Sequence, residues 1–250
     1  PTLMYFKGLP VMSSHLVLNS AAQVCAGMDM AQSARFLRAG GVLIFPTETF
    51  YGLGCLAAHA EAVARVYQLK RRPVHKPLPL LAASAAQVDE VAYLAAMPKG
   101  LAAFWPGPLT VLLPARASLP QALVNAEGQV AVRVTPHPLA AQLAVEAGGP
   151  LTASSANLSG GEAVRSPQQL DPALLDALHH MAQEMPSASS DAHKHNQQPL
   201  LLGGPLPAGG LPSTMVEPLG CAKGGAIRLR MVRNGAVSAA ELEAAGFTLE

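Results

Sequence analysis

At 250 residues, half of them apolar and only 13% charged, the chain is long enough to bury a core of its own. Its formal net charge of +1 excludes a general basic coat, and an aromatic content of 4% with no aromatic–basic interleaving argues against base stacking along a nucleic acid. Three cysteines without metal-like spacing and the lack of a leader-like apolar core predict a cytoplasmic protein, and the charge-free stretch 199–216 is too broken by four prolines to cross a membrane as a helix.

In chain order, residues 1–28 read as an irregular lead-in and 29–250 as a single domain. Met30, Ala34 and Leu37 recur at helical spacing, Asp29 can cap that helix, and Gly40-Gly41 ends it. A short buried strand over 42–45 empties into a loop of hydroxyls and glycines, Pro46-Thr47-Glu48-Thr49-Phe50-Tyr51-Gly52-Leu53-Gly54. An amphipathic helix over 60–70 follows and ends in Lys70-Arg71-Arg72, before Pro73 turns the chain away. Next come a strand at 78–82, a helix capped by Ser84, a turn at Trp105-Pro106-Gly107-Pro108, and strands at 109–113 and 130–134. A helix over 138–146 leads to a strand from Leu151 that opens into Ser154-Ser155-Ala156-Asn157. Residues 180–198, rich in Ser, His and Gln, read as a mobile insert, followed by strands at 213–217 and 226–232 and a closing helix at 238–245. Strands interleaved with helices predict an α/β fold, a twisted mixed sheet with flanking helices.

The charge is unevenly spread. Arg65, Lys70, Arg71, Arg72 and Lys76 crowd a stretch free of acids, and Lys223, Arg228, Arg230 and Arg233 form a second group, which points to a site. Lys70 and Arg72 fit either a solvated helix end complementing its dipole or a clamp on phosphate oxygens. The run Thr152-Ala153-Ser154-Ser155-Ala156-Asn157-Leu158-Ser159-Gly160 fits either a self-bonded turn or a ligand loop at a strand end, and it lacks the elbow that would make Ser155 a nucleophile. Arg133 lies inside an apolar strand and needs an anion, either an internal carboxylate or a substrate one; Arg233 poses the same question. Cys55 and His59 have nothing to orient the histidine, and Asp191, His193 and His195 fall in the polar insert, so neither group predicts chemistry or a metal site.

Taken together and in order, PTETFYGLG, LKRRP with KPL, WPGPLT, VAVRV with His137-Pro138, TASSANLSG, PSTMVE and VRNG resemble the threonylcarbamoyl-AMP synthase family of the YrdC type, from about Met30 to Gly235. The resemblance implies a YrdC-like sheet with a basic concave face. It implies that ATP, L-threonine and bicarbonate give threonylcarbamoyl-AMP and pyrophosphate, for a downstream tRNA-modifying transferase that acts at adenosine 37. It also implies site residues by motif. Lys70, Arg72, Ser155 and Asn157 would surround the nucleotide phosphates and carry the catalysis, with Ser166 and Arg233 also on ATP. Thr47, Arg133, the Ala153 backbone and Ser213 would hold threonine, with Tyr51 and Thr214 as pocket walls. Mg²⁺ would arrive on the ATP phosphates, without a protein cage. The C-terminal extension of longer family members has no room in this chain.

Some positions depart from the family pattern. Leu202 precedes Gly203-Gly204 where an acid is usual, Met215 and Glu217 replace a valine and an aspartate, and Thr135 displaces the proline after Arg133-Val134 to Pro136. Two rival readings remain: an RNA-binding protein that uses the same basic face, with weak binding and no chemistry, and a carbamoyl-adenylate-handling relative. The second normally carries zinc-finger or acylphosphatase-like neighbours, which this sequence lacks.

Overall fold

The computed structural model describes residues 28–185, 201–202, 206–221 and 225–250. The lead-in, apart from Met28, and most of the predicted insert lie outside the described residues. Helix α1 (Met30–Arg38) starts on a capping box in which Asp29 accepts from Gln32 N at 2.8 Å, as the sequence predicts. Strands β1 (Leu43–Pro46) and β2 (Tyr51–Gly54) pair antiparallel, so the predicted loop is a hairpin whose second arm is a strand. Helix α2 (Ala60–Lys70) precedes β3 (Leu80–Ala82) and α3 (Ala85–Val91). Strands β4 (Leu109–Pro114) and β5 (Gln129–Val134), helix α4 (Pro138–Ala147), and strands β6 (Leu151–Thr152) and β7 (Ser154–Ser155) follow.

Helix α5 (Pro172–Gln183) was not expected from the sequence, and it moves the start of the insert: residues 180–183 are its last turn. The chain ends in β8 (Thr214–Cys221), β9 (Ile227–Arg233), α6 (Ala239–Ala244) and β10 (Phe247–Leu249). Strand β8 runs past its predicted end because register shifts flank Pro218, the kind of irregularity that lets a strand carry proline.

Seven strands form a mixed sheet in the order β10-β9-β8-β4-β5-β3-β6, and β1-β2-β7 form a second, three-stranded sheet. Alternation explains why short apolar strands suffice. From Val42, just before β1, and along the strand, Val42 and Ile44 enter one core cluster with α2, while Leu43 and Phe45 enter another with α1 and α4. Leu80 and Leu81 on β3 split the same way. Strands covered on both faces read as continuous apolar runs, which is how β1 and β3 were visible in the sequence.

Candidate functional site

The hairpin turn builds one wall of the site. Thr47 Oγ1 donates to the carbonyl of Phe50 at 2.7 Å, and Thr47 N donates to the same oxygen at 3.2 Å. This hydroxyl-stabilised reversal buries Thr47 and sends the next side chain, Glu48, toward the large sheet. There Glu48 Oε1 accepts from Arg133 Nε at 2.6 Å, and Oε2 accepts from Thr135 Oγ1 at 2.7 Å. The two charged side chains are 4% and 10% exposed. Burial alone would push the Glu48 carboxyl up, but the Arg133 charge and the Thr135 hydroxyl outweigh it and hold the group below its usual value. Of the two anions the sequence left open for Arg133, the internal carboxylate is present. It occupies only the inner nitrogen, and the two terminal nitrogens make no hydrogen bond among the described residues.

Lys70 closes a second wall. Only 2% exposed, its Nζ donates to the carbonyls of Ser155 and, at 2.6 Å, Asn157. No acid faces it among the described residues, and burial together with the neighbouring Arg72 charge pulls its ammonium down to about 8. Arg71 ends α2 in the left-handed conformation (φ 48°), which reverses the chain directly after Lys70. Arg72 then folds back, donating from Nε to Lys76 O at 2.7 Å and from Nη2 to Pro77 O at 3.1 Å. Its pKa too is lowered by burial.

The serine-rich loop is a self-bonded turn whose carbonyls hold Lys70. Ser155 pairs with Gly52 across β2 and β7, and Ser155 Oγ donates to Asn157 Oδ1. Asn157 Nδ2 donates onward to Gly161 O, which fixes the amide. The amide of Ala153 is taken by Pro79 O at 2.9 Å, so a ligand contact from its backbone falls to the carbonyl. Ser166 forms a capping box with Gln169 at the start of a short 3₁₀ turn.

The third wall comes from the C-terminal strands. Arg233 donates through Nε (3.0 Å) and Nη2 (2.7 Å) to Ser213 O, and through Nη2 to Ser213 Oγ at 2.8 Å. Ser213 Oγ in turn lies 2.9 Å from Thr110 Oγ1. Gly235 lets the chain pass close by, since a Cβ there would lie 2.3 Å from Pro212 O. Thr214 and Tyr51, expected as pocket walls, are buried: Thr214 Oγ1 donates to Val237 O at 2.6 Å, and Tyr51 packs in the core.

These walls converge. Met215 pairs with both Thr110 on β4 and Arg233 on β9, and next to Thr110, Val111 pairs with Val132, the neighbour of Arg133 on β5. Arg133 and Arg233 therefore start three strand spacings apart, about 14 Å, a gap that two long side chains can narrow. The guanidinium of Arg233 is depressed by burial and then by the charges of Arg133 and Arg72. Arg72 and Arg133 thus sit within electrostatic reach of Arg233, and Lys70 within reach of Arg72: four cations drawn from three segments, with Glu48 as the acid beside Arg133. Such an arrangement is unfavourable when empty and suits a polyanion.

Sequence reasoning did not single out Glu48, Thr135 or Thr110. The usable signal for Glu48 was an acid placed between two threonines at the end of a buried strand. The Cys55–His59 spacing produces no nucleophile, because burial pushes the Cys55 thiol up to about 12 and the thiol lies against Thr152. Asp191, His193 and His195 lie outside the described residues. A hollow of about 170 Å³ between α2 and α5 is lined by Gln68, Arg71, Leu158, Ala173 and Met181 among others.

Residues 35–192 match the Sua5/YciO/YrdC family model, described as "Telomere recombination". A threonylcarbamoyl-AMP synthase of Stenotrophomonas maltophilia is 42% identical over 146 residues, which cover 57% of this chain and 78% of that protein. One from Methylococcus capsulatus is also 42% identical, over 58% of this chain and 79% of that protein. The crystal structure of P. abyssi Sua5 complexed with L-threonine superposes with a TM-score of 0.68 at 28% identity, covering 88% of this chain. The chain spans only 58% of the length of that structure.

Proposed function

The chain belongs to the Sua5/YciO/YrdC family, and on that premise we propose that it is a threonylcarbamoyl-AMP synthase. The observation that carries this reading is the grouping of four cations from three segments, with a buried acid paired to one of them. The threonine amine captures carbon dioxide from bicarbonate and loses a proton to give a carbamate. A carbamate oxygen then attacks the α-phosphorus of ATP, and pyrophosphate leaves. The nucleophile belongs to the substrate, which agrees with an inert Cys55 and a Ser155 hydroxyl engaged with Asn157.

What the protein contributes is charge and position. Carbamate and triphosphate repel in water; fixed cations offset the repulsion, and orientation of two reactants can contribute about 7–11 kcal/mol. Lys70, Arg72 and Arg233 face the phosphates in this reading, with Ser155, Asn157 and Ser166 alongside. The terminal nitrogens of Arg133 take the threonine carboxylate, with Thr47, Ser213 and the Ala153 carbonyl around the rest of the amino acid. Mg²⁺ comes as part of the nucleotide. Glu48 is committed to Arg133 and Thr135, so phosphate oxygens and water would supply the ion's ligands.

The adenylate would pass to a tRNA-modifying transferase in the cytoplasm. No helix among the described residues is long and apolar enough to cross a membrane. The test is pyrophosphate release with ATP, threonine and bicarbonate added singly and together. Release that requires all three supports the reading. Salt-sensitive RNA binding without such release would favour the RNA-binding rival.

A further inference from the structure

We infer that Glu48 and Thr135 form a positioning pair that presents one chosen edge of Arg133 to the threonine carboxylate; the inference rests on the functional reading above. An arginine fork has two edges that can dock a carboxylate: Nε with one terminal nitrogen, or the two terminal nitrogens together. An unopposed buried glutamate beside it would take an edge in bidentate fashion and consume a terminal nitrogen. Here it does not. Glu48 gives Oε1 alone to Nε, because Oε2 is drawn away by Thr135 Oγ1 at 2.7 Å.

The threonine hydroxyl is itself oriented. Thr135 Oγ1 accepts from the amide of His137 at 3.1 Å, which directs its proton to Glu48. Thr135 is 2% exposed and Arg133 4%, so neither contact is exchanged freely with water. The arrangement also answers a repulsion, since Arg133 lies close enough to Arg233 to depress its pKa. Without an anionic strut, Arg133 would lean away from that neighbour and lose its aim. Glu48 is thus a strut for Arg133, and Thr135 keeps the strut monodentate.

The experiment compares wild type, Glu48→Gln, Thr135→Val and Arg133→Ala, with the doubles Glu48→Gln/Arg133→Ala and Thr135→Val/Arg133→Ala, by threonine-dependent pyrophosphate release. Threonine binding is measured separately by calorimetry. Each single change at 48 or 135 is expected to raise the KM and Kd for threonine about tenfold or more while the KM for ATP stays put, as misaimed binding groups do. In the Arg133→Ala background the same changes are expected to add nothing, because both residues act through that arginine. These doubles also avoid leaving a buried arginine unpaired, so they report even if Glu48→Gln folds poorly. Equal losses for threonine and ATP, or full additivity in the doubles, would overturn the inference in favour of a merely structural role. A wild-type chain that releases no pyrophosphate in response to threonine would instead remove the functional reading beneath it.

Discussion

Lys70 donates to two backbone carbonyls, is almost fully enclosed, and has no acid beside it among the described residues. Its folded pKa, down at about 8, lies below the unfolded value, so between those values the unfolded chain binds more protons. Stability should therefore rise as pH increases from about 8 toward 10.4, by no more than about 3 kcal/mol. Urea titrations across that range check this, and Lys70→Met should abolish the slope. The activity dependence has the opposite sign. As the phosphate clamp proposed above, Lys70 would work only when charged, so kcat/KM for ATP should fall about tenfold per unit above pH 8, with the limb displaced upward in Lys70→Arg. An unchanged limb would detach the titration from Lys70. Replacing Lys70 or Arg72 by alanine should lower adenylate formation by about 10²–10³-fold, with circular dichroism unchanged.

Helices α1, α2, α3, α4 and α6 and most strands were legible because caps and apolar periodicity are local signals. Asp29, Ser84 and Ser238 each accept from a backbone amide at the start of a helix. Strand β2 was missed for a physical reason: Tyr51-Gly52-Leu53-Gly54 has poor strand propensity and owes its conformation to pairing with β1 and β7. Gly54 is required there by contact, since a Cβ would lie 1.7 Å from Thr152 O. Gly54→Ala should therefore cost at least about 2 kcal/mol in chemical denaturation, as overpacking at a close backbone approach does. Helix α5 was overlooked because the polar stretch following it drew its last turn into the predicted insert. Motif order marked candidate residues for the site, but not how they are held. Glu48 lies 85 positions from Arg133 and 87 from Thr135, separations that no local pattern encodes. Gly235→Ala should press on Pro212 and Ser213 and so disturb Arg233, with the loss appearing in ATP affinity more than in melting temperature.

At the scale of the molecule, the site draws on the hairpin of the small sheet, the end of α2 and one end of the large sheet, so ligands that bridge them should stiffen the whole. ATP at a hundred times its Kd should stabilise the fold by about 2.7 kcal/mol, read as a rise in melting temperature that Lys70→Ala removes. A cradle of like charges has a consequence for the end of the cycle as well. Its attraction is to oxyanions in general, and the departing pyrophosphate keeps most of the negative oxygens that drew ATP in. Product should therefore linger where substrate entered, and forward flux would depend on an external phosphatase that destroys the diphosphate after it escapes.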